Sequence, residues 1–477
     1  MADTSYSGGL TEKAPRPSAG VGEPRPVLSL FDAVALIVGI VVGAGIFRTP
    51  SLVAGNAGSA EAFLAAWLLG GLVSLIGVLC YAELTTAFPN AGGDYHFIRR
   101  AFGDRLAFLF AWARMTVIQT GSVALLAYIF GDYLSGIYRL GEYSSFIYAS
   151  LAVAGLTAIN IAGITFGAGA QKLLTVAEVS GLLLVIVAGF FLVPAGAGAA
   201  PAADAAAATS SFGLTMVFVL LTFGGWNEAA YISAELRAGR RGKRRMAAAF
   251  IVGILVITAL YLLVNLAYLR SLGLAGMAGS EAVGGDLMRL AAGDRGVLII
   301  GLIVAVSALT SANATIFTGA RTNYALGRDF PAFSILGRWN SQSSAPVNAY
   351  LAQGAISLML VSLGLFTRKG FETIVEYTAP VFWFFFLLVG IALFVLRRKE
   401  PDAERPFRVP LYPVTPLLFC LTSAYLLYSS LAYTGLGAFF GVAVLFAGAF
   451  LYAALPSIEA LLGKTDNRRK KDEVPAT

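Results

Sequence analysis

Twelve stretches of this 477-residue chain stay apolar for about the length needed to cross a bilayer, which leaves few folds open to it. Roughly 20 helical residues span the hydrocarbon core. The stretches lie near residues 28–53, 60–87, 103–133, 145–165, 173–193 and 212–236, then 246–269, 296–325, 347–366, 372–396, 411–431 and 436–455. Lipid offers no hydrogen-bond partner, so a lone spanning segment satisfies its backbone within itself and coils into a helix. Composition agrees: 57% of residues are hydrophobic and 13% charged, about half the charge of a soluble domain. The expected class is an all-α integral membrane protein with 12 transmembrane helices.

Loop charges set its orientation, because Lys and Arg gather on the cytoplasmic side. With a cytoplasmic N-terminus, 26 of the 34 basic residues face inward, seven face outward, and Arg114 lies inside span three. The densest inner run, Arg237 through Arg245, follows span six, and the outer loop 194–211 has no basic residue. Both termini are thus expected in the cytoplasm, in a multi-pass protein of the plasma membrane. Residues 1–27 read as a polar disordered tail without a signal-peptide core, and residues 456–477 as a second tail. The net charge of +7 follows from topology, so the expected partner is the lipid bilayer and not nucleic acid.

Cys80 and Cys420 sit far apart in apolar spans and read as small core residues rather than a disulfide. His96 is the only histidine, so a histidine metal site or a Ser-His-Asp triad has almost nothing to work with. Neither an enzyme nor a bound cofactor is expected. No lone outer-loop cysteine stands ready to tether a helper subunit, and none is expected.

Two spans carry glycine clusters where a membrane helix has no evident use for them. They are Gly39-Ile-Val-Val-Gly43-Ala44-Gly45-Ile46-Phe47 in span one and Thr222-Phe223-Gly224-Gly225-Trp226-Asn227 in span six. Five spans separate their starts, so the clusters hold corresponding positions in two halves. In lipid an unwound turn exposes backbone groups that cost several kcal/mol apiece unless something pairs with them. Paired breaks therefore point to the binding site of a secondary transporter. Span one is expected to stop near Val42 and restart near Ile46, turning the amides of Ala44, Gly45 and Ile46 and a positive dipole end toward an anion. The stopping half leaves carbonyls near Ile40 and Val41, and span six adds those of Leu221 and Gly224, which suit an ammonium. An anion site beside a cation site is the charge pattern of an α-amino acid zwitterion. The competing reading takes Gly39 and Gly43 as a small-xxx-small packing contact; the bulky Trp226 right after Gly225 fits that poorly.

These clusters, with three further stretches, resemble the amino acid–polyamine–organocation superfamily of transporters, and within it the L-type amino acid transporter group. The further stretches are Tyr81-Ala-Glu83-Leu84 with Pro89 and Gly92-Gly93-x-Tyr95, then Arg321-x-x-Tyr324-Ala-x-x-Arg328-Asp329, then Arg405 through Pro413. The likeness runs from about residue 30 to 430. It implies a five-plus-five inverted repeat with broken helices 1 and 6, here residues 28–193 and 212–396, plus two peripheral helices within 397–455. It also implies alternating access around a midplane site. There the Ala44 and Gly45 amides take a carboxylate, and the Val41, Leu221 and Gly224 carbonyls take an amino group. Leu221 stands where relatives often carry an aromatic lid, and Asn227 is placed to tie down the unwound turn or touch the ligand. Relatives often have a lysine in helix five, where this chain has Glu178. They also tend to follow helix six with a proline-containing segment, where a basic run follows Glu235 here.

An intramembrane carboxylate is costly and marks function by default. Glu178 either carries a proton or cation through the cycle or pairs structurally with a hydroxyl or a cation, near Ser307 or Ser311. Glu228 either lines the path or caps the restarted helix. Arg114 is expected to snorkel to the inner interface rather than to meet the substrate. Glu83 and Glu235 stand near inner helix ends, either as an inner gate with Arg100 or Arg321 or as ordinary interfacial carboxylates. Thr120, Ser122 and Asn313 are expected to bridge helices, with Ser311 singled out for ligand or ion. The expected function is secondary active transport of amino acids, by exchange or proton-coupled symport. The alternative is a polyamine or cationic-amine exchanger, which Glu178 and Glu228 favour and the Ala44 and Gly45 amides disfavour.

Overall fold

The structure, a computed structural model, describes residues 34, 37–39, 41–90, 92–163, 168–199, 211–230, 240–340, 343, 345–367, 370–433 and 436–472. Residues 1–27, Ile40, Glu235 and most of the loop 194–211 lie outside the described residues, as do the side chains of the basic run up to Arg244. Among the described residues the chain is helical almost throughout, with no strand beyond an isolated bridge between Asn340 and Ala345.

After a broken first segment come α1 (Thr49–Ala57), α2 (Ala60–Ala87), the short α3 (Gly93–Phe102), α4 (Asp104–Ala113), α5 (Gln119–Ile137), α6 (Ser144–Ile161), α7 (Ala168–Val187) and α8 (Phe212–Thr222). Then follow α9 (Arg240–Ala278), α10 (Val283–Asp329), α11 (Val347–Thr367), α12 (Gly370–Lys399), α13 (Val414–Tyr433) and α14 (Leu436–Asp472). A π-turn over Arg114–Ile118 joins α4 to α5, making one continuous segment. Nine helical segments of the described residues are long and apolar enough to cross a membrane. Two long helices contain interior breaks that bring them back to the expected lengths: Gly273 in α9 (φ 67°, ψ 169°) and Ala292–Gly293 in α10.

Small residues set the closest helix approaches, as they do wherever lipid supplies no drive for association. A Cβ added to Gly70 of α2 would collide with Val219 of α8, and one on Gly71 with Thr258 of α9. Gly77, two turns on, makes room for the Trp226 ring at the second break. Thus α2 holds the second break and α9 together on one side. Burial grades outward: an 18-residue apolar stretch of Asp104–Ile137 is 67% buried and that of Gly437–Leu455 only 22%, which puts the former toward the centre and α14 at the rim. Phe439, Phe446 and Phe450 of α14 are exposed, as lipid-facing side chains are.

Candidate functional site

Span one breaks where its glycines stand. Helical backbone reaches Val41, Gly43 is extended, a 3₁₀ turn covers Ala44–Phe47, and α1 starts at Thr49 with Pro50 in its first turn. No side chain caps the turn that the Ala44, Gly45 and Ile46 amides lead. In span six, α8 ends at Thr222, Gly225 takes φ 107°, and a 3₁₀ turn covers Trp226–Ala230. That φ is open to glycine and strained for other residues, so the break is written into Gly225. The Gly224 N–H donates to the Leu221 carbonyl at 3.0 Å, closing the turn at the break.

The two breaks touch. A Cβ placed on Gly45 would lie 3.9 Å from Thr222 Cγ2, and one on Gly43 3.9 Å from Ser311 Oγ. Tyr261 of α9 ties them together, its hydroxyl shared between the Val41 carbonyl at 3.0 Å and the Thr222 carbonyl at 3.2 Å. The ring is fully buried, held edge-on by Trp67 and Phe223 at 5.9 and 5.0 Å. Sequence reasoning passed over Tyr261; its one signal was a phenol in the middle of an apolar span. Beside the end of α8 lies a cavity of about 50 Å³, lined by Ile118, Ser122, Leu125, Val217, Leu221, Thr378, Ala379, Phe382 and Trp383. The lining holds two hydroxyls and no charge.

Glu178 of α7 is buried and accepts a bond from Ser307 Oγ at 2.7 Å, while its Oε2 has no partner among the described residues. Ser307 is thus the nearby hydroxyl, and Ser311 turns to Gly43 instead. Tyr261 lies within electrostatic reach of Glu178, which connects the carboxylate to the breaks. Asn313 accepts from Asn160 at 2.6 Å, bridging α10 and α6 as expected of such residues. Ser122 bonds the Ile118 carbonyl of its own helix at 2.8 Å and also faces the cavity.

Arg114 does not snorkel. It is 3% exposed and its Nη2 lies 3.0 Å from Glu228 Oε2, because this half-buried carboxylate offers a nearer countercharge than the interface does. Turned with its oxygen toward the guanidinium, the Gln119 amide accepts from Arg114 Nε at 3.3 Å. Asn227, also buried, sits next to a carboxylate that the sequence did not single out, Asp94 at the start of α3. Burial pushes the Asp94 carboxyl up to about 7, and Glu228 adds to this; Arg114, Tyr81 and Asn227 pull the other way. The only signal was an acidic residue inside Gly92-Gly93-x-Tyr95.

At the end of α2, Glu83 meets neither Arg100 nor Arg321. Its carboxylate takes Arg397 bidentately, lies 3.5 Å from Arg405 Nε, and accepts from the Val409 N–H at 2.7 Å. Arg100 instead grips Glu400 through two bonds of 2.6 Å, and Arg321 stacks on Phe317. Several cations crowd this end of the molecule, so sequence position cannot choose among them. At the opposite end, Arg48 lies 3.6 Å from Asp132 and donates to the Ser280 carbonyl at 3.2 Å, tying the restart of span one to α5 and to the stretch between α9 and α10. Both cysteines are free thiols, Cys80 buried and Cys420 half-buried.

Residues 28–455 match the amino acid permease family. The human b(0,+)-type amino acid transporter 1 is 29% identical over 410 residues, 84% of this chain and 81% of that protein. The human large neutral amino acids transporter small subunit 2 is 28% identical, over 93% of this chain and 83% of its own length. The serine/threonine exchanger SteT of Bacillus subtilis (strain 168) is 26% identical, over 85% and 91%. The chain is a multi-pass membrane protein that belongs to the amino acid permease family, a family of transporters and not of enzymes.

Proposed function

We propose that this permease carries α-amino acids across the plasma membrane by alternating access, holding the zwitterionic head group at the two breaks. The Ala44, Gly45 and Ile46 amides take the carboxylate, and the Val41, Leu221 and Gly224 carbonyls take the ammonium. The contact of the two breaks through Tyr261, Val41 and Thr222 carries this reading. A five-plus-five inverted repeat with both termini cytoplasmic is the frame we propose for it, the tilt of these paired breaks being the moving part.

The cavity supports a neutral side chain. An ammonium or guanidinium placed among its apolar walls would lose hydration with no carboxylate to repay it. Glu178 is engaged by Ser307 and Glu228 by Arg114, which leaves the polyamine reading without free acidic groups at the cavity. Exchange fits a relative named as an exchanger, and proton-coupled symport fits the half-satisfied Glu178. One relative is named a small subunit; with both thiols in helices, this chain is proposed to need no disulfide-linked helper.

The test is uptake by the purified protein in proteoliposomes, with and without internal amino acid and with and without an imposed proton gradient. Uptake of neutral amino acids that depends on either driving force supports the reading. Uptake of polyamines without amino acids would overturn it.

A further inference from the structure

Asp94, Arg114 and Glu228 bring two carboxylates and one guanidinium together just past the second break. Asp94 and Arg114 are 4% and 3% exposed, while the Glu228 side chain is 35% exposed and forms the open side of the cluster. Arg114 is bonded to Glu228, and Asp94 Oδ1 is buried with no hydrogen-bond partner among the described residues. Among the described residues one cation therefore faces two anions, and burying a carboxylate with one oxygen unpartnered is expensive. The remaining groups around Asp94 are polar rather than cationic: the Tyr81 phenol from α2 and the Asn227 amide from the break itself. Other charges of α3 point elsewhere, Arg99 to Asp104 and Arg100 to Glu400. Helix α12, which packs on α3, commits Arg397 to Glu83 and Lys399 to the Ala101 carbonyl.

We propose that Asp94, with the Arg114–Glu228 pair, forms a proton-binding site that controls how firmly the restarted turn Trp226–Ala230 is held. With a proton from water on Asp94, Glu228 is the one anion of the three that draws the Arg114 charge, which pins the turn to the Arg114–Ile118 segment. When Asp94 releases that proton to water, Arg114 is drawn toward two carboxylates at once. Its hold on Glu228 weakens, and the turn loosens. The desolvation of Asp94 supports this, since it moves the carboxyl into the physiological range. The site is separate from Glu178, which lies on α7 against α10.

The inference rests on reading the break as a moving part, but its test needs no transport. Hydrogen–deuterium exchange of the 226–230 amides is measured on the full-length protein in lipid nanodiscs, between pH 5.5 and 8.5 and corrected for intrinsic exchange. Protection is expected to fall severalfold as pH rises, with a midpoint near neutrality. Asp94→Asn, which mimics the protonated acid without changing its shape, is expected to keep the high protection at every pH. Glu228→Gln leaves Arg114 free for Asp94 and is expected to move the midpoint to acid by a unit or more. A wild-type profile that stays flat, or an Asp94→Asn profile that tracks the wild type, overturns the proposal. If exchange behaves as stated but no amino acid is transported, the functional reading fails and this one stands.

Discussion

The Tyr261 hydroxyl donates to the Val41 carbonyl at 3.0 Å, and the same oxygen lies 3.2 Å from the Thr222 carbonyl. One phenol on α9 thus reads the stopping end of both broken helices. The carbonyl it holds is the one assigned to the substrate ammonium, so Tyr261 sets where that acceptor stands. Removing the hydroxyl costs one buried bond, about 0.5–1.5 kcal/mol. Tyr261→Phe is expected to lower kcat/KM for uptake roughly two- to tenfold, the same energy expressed as a ratio. An unchanged kcat/KM in proteoliposomes would show that Tyr261 has no part in placing the head group.

Gly45 separates packing from function. Its nearest neighbour for a new Cβ is Thr222 Cγ2 at 3.9 Å, an ordinary contact, and its φ lies outside the left-handed region. Gly45→Ala is expected to fold normally, and Gly45→Val to fold while abolishing uptake, because its methyls occupy the approach to the Ala44 and Gly45 amides. Size-exclusion profile and uptake are measured together. Undiminished uptake in Gly45→Val removes those amides from the site.

Glu178→Gln keeps an oxygen for Ser307 but cannot carry a proton. Accumulation driven by a proton gradient is expected to vanish, while exchange against internal amino acid persists. Gradient-driven accumulation at wild-type level takes Glu178 out of coupling and leaves it a structural partner of Ser307.

Glu83 is 2% exposed and serves Arg397, Arg405 and the Val409 amide. Replacing it with Gln removes the countercharge of Arg397, while Arg405 keeps its bonds to the Leu396, Glu400, Pro401 and Ala403 carbonyls. Loss of one partner from a buried pair costs about 3–5 kcal/mol, and the partial exposure of Arg397 brings the expectation to roughly 3 kcal/mol. The thermal midpoint in detergent should fall clearly. A midpoint within a degree of wild type would mean that this cluster contributes nothing to stability.

The breaks were legible because they are local: glycine is needed at the positive φ of Gly225, and the resulting unpaired backbone is a property of a few consecutive residues. Helix positions were legible for the same reason, each span being one continuous apolar run. The interior breaks at Gly273 and Gly293 even match the expected ends of spans seven and eight. Ion-pair partners were not legible. Arg114 and Glu228 are 114 positions apart, Glu83 and Arg397 314. Each pairing is set by tertiary packing, of α2 on α12 for Glu83 and Arg397 and of the Arg114–Ile118 turn near the second break for Arg114 and Glu228, which no periodicity encodes. Asp94 was hidden for another reason, since a charged residue in a polar stretch between spans looks solvated until α3 folds back and buries it.

The central claim is that both charges of an α-amino acid are read by the two breaks. It is tested most directly by competition in proteoliposomes among leucine, its decarboxylated amine and its deaminated acid, which share one side chain. The account predicts that leucine competes for uptake while the amine and the acid each compete at least a hundredfold more weakly. That ratio corresponds to about 2.7 kcal/mol for a lost charge contact. Competition by the amine as strong as that by leucine would contradict the assignment of the Ala44 and Gly45 amides to the carboxylate.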